Sequence, residues 1–205
     1  VQNLVKDAEF NQAYIMISEL HAKGVEHPKF ARIKELVERE MQGNKNAKLL
    51  IFAQYRNTVV KITKELNSIP NVKAKVFVGQ AMKDGHGLTQ KEQQELVKEF
   101  TLGIINVLVC TSIGEEGLDL PEVSCVIFYE PVPSAVRSIQ RAGRTARLKP
   151  GRVIILMTRK TRDEAYHYAS LSKEKKMHSI IEGMNNDFKN ESKEKKQKPL
   201  KEYFK

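Results

Sequence analysis

The sequence predicts an α/β protein: a doubly wound parallel sheet with helices on both faces. Three observations carry that expectation. Five short runs, "KLLIFAQY", "AKVFVG", "INVLVCT", "CVIFYE" and "RVIILMT", are nearly continuous in hydrophobicity and rich in β-branched and aromatic residues, as strands buried on both faces should be. Helical patterns lie between them, and each loop between units carries Gly or Pro. Strand and helix alternate through residues 48–158, the pattern of a doubly wound sheet whose ligands gather at the carboxyl ends of its strands.

The elements follow in order. Residues 3–22 and 29–42 have helical spacing. Phe30, Ile33, Leu36 or Val37, and Met41 mark the apolar stripe of the second segment, and Gly24 and Pro28 separate the two. Further helices are expected from Asn57 to about Asn67, from Gln90 to about Thr101 behind the capping box Thr89–Glu92, and from Ser134 to about Arg147. A second capping box, Thr161 with Glu164, opens a long helix after the last strand. From Asn185 the chain turns to Asn, Lys, Glu and Ser with few apolar residues, a composition that predicts a disordered tail.

The chain has 205 residues with 40% hydrophobic content, enough to bury a core. Its net charge of +10 favours a polyanionic partner such as nucleic acid. Cys110 and Cys125 are isolated in apolar runs without the paired spacing of a zinc site, which points to reduced core cysteines in a cytosolic protein and implies no metal. There is no signal peptide and no apolar run of membrane-spanning length, and the first residue is Val1, so a fragment or processed chain is expected.

Two stretches carry chemistry. In "SIQRAGRTARLKPGR", Arg141, Arg144 and Arg147 recur every third position with no acid among them, and Gly143 interrupts the helical pattern. If Ser134 caps this helix, Gln140, Arg144 and Arg147 fall at i, i+4 and i+7 on one face. Converging guanidinium groups are tolerable around a phosphate, or around charge that develops in phosphoryl transfer. The other reading is a solvated basic face. In "VLVCTSIGEEGLDLPEV", a buried strand runs into Thr111 and Ser112, then a loop with Gly114 and Gly117 around two acids, then Asp119. Such a loop can present hydroxyls and N–H groups to a phosphate backbone, or be a plain connection.

"TSIGEEGLDLP" followed by "QRAGRTAR" resembles motifs V and VI of superfamily two helicases, "IFAQYRNT" resembles motif IV and "VFVGQA" motif IVa, in the right order on the right elements. The wider text, including "FYEPVPSAVRSIQRAGRTAR" and "PGRVIILM", resembles the Hef and Fanconi M family over roughly residues 30–180. The resemblance implies a carboxyl-terminal RecA-like lobe, the second of two that close over ATP and magnesium. Residues 1–28 would end a helical insertion, 29–184 form the lobe, and 185–205 form a flexible tail. Arg144 and Arg147 match arginine fingers, with Gln140 beside them. Gly117 and Asp119 match the part of motif V that links nucleotide to nucleic acid, Thr111 its phosphate-backbone contact, and Arg56 and Gln80 further strand contacts, with a plain surface residue of its loop as the alternative for Arg56. Ala146 replaces a usual Gly and Ala142 a frequent Arg.

No stretch reads G-x-x-x-x-G-K-[ST], and no Asp-Glu-x-His or Asp-Glu-x-Asp run follows a strand, so magnesium and the β- and γ-phosphates would be held mainly by the other lobe. In "EKKQKPLKEYFK", Gln197, Leu200, Tyr203 and Phe204 resemble the peptide by which replication and repair proteins dock on the sliding clamp PCNA. The expected function is the motor lobe of an ATP-dependent DNA helicase or translocase acting on forks and branched junctions in repair. The second lobe of an RNA helicase, a non-enzymatic clamp-tethered DNA-binding module and a basic structural domain are the alternatives.

Overall fold

A computed structural model describes residues 5–44, 46–80, 87–111, 120–143, 145 and 151–195. In chain order the elements are α1 (Ala8–Ala22), α2 (Pro28–Gly43), β1 (Leu49–Phe52), α3 (Arg56–Leu66), β2 (Ala74–Phe77), α4 (Gln90–Leu102), β3 (Val107–Cys110), β4 (Cys125–Phe128), α5 (Ala135–Ala142), β5 (Arg152–Ile155) and α6 (Arg162–Lys195). The five strands form one parallel sheet in the order β2-β3-β1-β4-β5. The expected α/β fold is present. No described helix is long and apolar enough to cross a membrane.

Alternation along the strands builds two cores. On one face Leu49, Ile51, Val107, Val109, Cys125 and Ile127 pack with Ile33, Leu36 and Val37 of α2 and Val59, Ile62 and Leu66 of α3. On the other face Leu50, Phe52, Leu108, Cys110, Val126 and Phe128 pack with Phe100 of α4. The central strands β1, β3 and β4 are buried throughout, whereas edge strands β2 and β5 are partly exposed. Both cysteines are free and buried, and burial, followed by the Glu40 carboxylate, pushes the Cys125 thiol up to about 12.

Local signals fix most element ends. The Thr89–Glu92 capping box forms in both directions, and Gly103 closes α4 at φ 76°, where a side chain would be strained. Ser134 accepts from the Arg137 N–H at 3.4 Å and so caps α5.

Two expectations are corrected. Helix α5 ends at Ala142 rather than near Arg147: Gly143 lies in a turn, and Thr145 pairs with Val123 as an isolated parallel bridge. Continuing the helix through Gly143 costs about 1 kcal/mol, whereas Thr145 in the bridge donates its hydroxyl to Val123 O at 2.6 Å. The second capping box is not reciprocal. The Thr161 hydroxyl accepts from the Asp163 N–H, and the Glu164 carboxylate reaches past it to the Lys160 N–H at 2.8 Å. Helix α6 extends from Arg162 to Lys195.

Candidate functional site

The carboxyl ends of β1, β3 and β2 bring together the three described residues matched to nucleic-acid contacts. Arg56 opens α3 directly after β1, and its Nη2 donates to Gly79 O at 3.5 Å, which sets it beside Gln80 after β2. Thr111 leaves β3, and its N–H donates to Phe77 O at 3.3 Å. A strand order that places β3 between β1 and β2 therefore gathers residues from three separate motifs on one rim.

Gln140 lies elsewhere, half-buried on α5 after β4. Because α5 is short and ends at Ala142, the chain has returned to the amino end of β4 by Thr145, which is 4% exposed. Thr145 itself lies beside Val123 rather than in a continuation of α5. The bridge instead joins the end of the Gly-rich loop segment, at Val123, to the Arg-rich segment. Gly117, Asp119, Arg144, Arg147, Gln197, Leu200, Tyr203 and Phe204 lie outside the described residues. Among the described residues no group of three His, Cys, Asp or Glu side chains is placed to hold a metal.

Sequence reasoning did not single out the residues that brace the strand ends. Glu130, just after β4, accepts from the Gln54 N–H, just after β1, at 3.2 Å and so ties the two neighbouring strand ends. Lys29 at the start of α2 donates to Tyr129 O at 2.9 Å and to Asp163 Oδ2 at 2.5 Å, and Asp163 also accepts from the Thr158 N–H at 3.0 Å. Burial opposes ionisation of Asp163, but the bonds from Lys29 and Thr158 outweigh it and hold its carboxyl below the usual range. Burial, then the Glu130 carboxylate, pushes the Tyr129 phenol up. The only sequence signals were a charged residue beside each element end: Lys29 after Pro28, Glu130 after "CVIFY" and Asp163 after Thr161.

Residues 28–149 match the family described as helicase conserved C-terminal domain. A Methanocaldococcus jannaschii protein, whose name assigns it provisionally as an ATP-dependent RNA helicase, is 42% identical over 183 residues, 89% of this chain and 23% of that protein. The Fanconi anemia group M protein of Gallus gallus is 34% identical over 173 residues, 77% of this chain and 8% of its own length. The crystal structure of the Pyrococcus furiosus Hef helicase domain superposes with TM-score 0.63 and 48% identity, covering 82% of this chain and 34% of that one. The chain thus spans less than a quarter of the full-length relatives it matches. It belongs to the helicase conserved C-terminal domain family, as the carboxyl-terminal RecA-like lobe of a superfamily two helicase.

Proposed function

We propose that this chain is the second motor lobe of an ATP-dependent DNA helicase or translocase that works on forks and branched DNA in repair, in the cytoplasm, tethered to the sliding clamp PCNA. The observation that carries this reading is the Val123–Thr145 bridge, which couples the segment bearing Gly117 and Asp119 to the one bearing Arg144 and Arg147. ATP bound by a first lobe supplies the phosphoryl chemistry. This chain's part is to offer the Arg144 and Arg147 guanidinium groups to the γ-phosphate, with Gln140, Gly117 and Asp119 beside them, while magnesium stays with the first lobe.

Arg56, Gln80 and Thr111 form the strand-binding rim, and net charge of +10 supports a polyanion there. Helix α1 buries no side chain and leaves Tyr14, Ile15, Met16 and Ile17 each more than half exposed, which supports reading residues 1–28 as the end of a helical insertion whose remainder covers them. The name of the M. jannaschii relative favours a second reading, an RNA helicase lobe. ATPase stimulation of the two-lobed protein by branched DNA against structured RNA distinguishes them. The DNA reading expects stimulation by branched DNA well above that by RNA, and the reverse order would overturn it.

A further inference from the structure

Tyr55 occupies an unusual place on the rim. It is the N-cap of α3, a position where Ser, Thr, Asp or Asn would satisfy an orphan N–H, yet its side chain makes no capping bond. The substitution of an aromatic for a cap residue forgoes about 1 kcal/mol of helix stability. The ring is not repaid by burial, since Tyr55 is 61% exposed, and among the described residues it makes no ring contact or side-chain hydrogen bond. Its backbone is nevertheless pinned on both sides. The preceding residue, Gln54, donates its N–H to Glu130, and Tyr55 O accepts from the Val59 N–H at 3.0 Å. A residue that breaks a local rule, stays bare and is held rigidly is where a binding role is expected.

The neighbours say what it would bind. Arg56 follows it directly and reaches across to Gly79, beside Gln80. An exposed aromatic next to a phosphate-binding cation is the pairing that single-stranded nucleic acid recognises, with the cation on the backbone and the ring under a base. From this juxtaposition of a bare, backbone-pinned Tyr55 with Arg56 we infer that Tyr55 is a stacking platform for an unpaired base of the bound strand. The inference rests on the proposed nucleic-acid rim and adds to it a contact with the base rather than with the phosphate.

The test uses this chain with a labelled twenty-nucleotide oligo-dT and the same backbone made abasic, titrated across a salt series. Tyr55→Ala should weaken oligo-dT binding about five- to 150-fold, the range of one lost base stack, with Tyr55→Phe close to the parent. The salt slope should not move for Tyr55→Ala and should fall by about 0.7 for Arg56→Ala. Abasic binding should be indifferent to Tyr55→Ala. A parent-like affinity in Tyr55→Ala while Arg56→Ala loses binding overturns the stack and leaves the rim standing. Equal losses on both oligonucleotides also overturn it. No effect from either substitution, or no binding by the parent, overturns the rim and the stack together.

Discussion

Lys29 Nζ and Asp163 Oδ2 stand 2.5 Å apart across 134 residues of chain, with side chains only 10% and 18% exposed. The pair binds the start of α2 to the start of α6, and through Tyr129 O it also holds the end of β4. Removing one partner strands a largely buried charge, so Lys29→Met should cost about 2–4 kcal/mol of stability. The pH dependence has a definite sign. Because the folded pKa of Asp163 is lowered, its contribution is present above the unfolded value of about 3.9 and is lost as pH falls through the folded one. Urea unfolding of the parent and Asp163→Asn should differ at pH 7 and converge only well below about pH 4, once pH has fallen through the folded pKa of Asp163. A gap that is the same at both pH values would contradict the pairing.

The outer edge of β2 is blocked by two side-chain amides. Asn67 accepts from the Ala74 N–H at 2.8 Å and donates to Ala74 O at 3.1 Å, while Gln93, 3% exposed, donates to Val78 O at 3.0 Å. An open edge invites pairing with another chain. Asn67→Ala should therefore destabilise by about 1–2 kcal/mol and increase aggregation on warming, read by light scattering during a thermal melt. A variant that melts and scatters like the parent would show the amide bracket to be incidental.

The isolated chain should not turn over ATP, since its sequence holds no phosphate-binding loop. In the two-lobed protein Arg144→Ala or Arg147→Ala should lower kcat about 10³-fold or more, with a smaller change in ATP affinity. Steady-state ATPase assays on purified proteins check both statements. Parent-like turnover by either variant would reduce that arginine to part of a basic face.

Replacing Tyr203 and Phe204 together with Ala should weaken clamp binding by roughly 30- to 1000-fold, because a few aromatic anchors usually carry a small interface. Lys196→Ala and Lys198→Ala should cost far less and chiefly alter the salt dependence. Calorimetric titration of the matching clamp decides the matter, and equal affinities for parent and double variant would remove the tail from the tether.

Sequence by itself determined whatever depends on neighbours along the chain. Near-continuous hydrophobicity in "LLIF", "VLVC" and "CVIF" marked strands buried on both faces, and Thr89–Glu92 and Ser134 marked helix starts that the fold retains. These signals are local in origin: the composition of a short run and a cap within three residues. Tertiary structure decided what depends on partners far away. The strand order puts Arg56, Gln80 and Thr111 on one rim, and Lys29 meets Asp163. Thr145 leaves the helical register implied by its arginine neighbours because Val123, 22 residues earlier, offers its carbonyl just before β4. Gly143 already disfavours a further helical turn there, and the chain instead gains a buried hydrogen bond whose partner becomes available only once the sheet has formed.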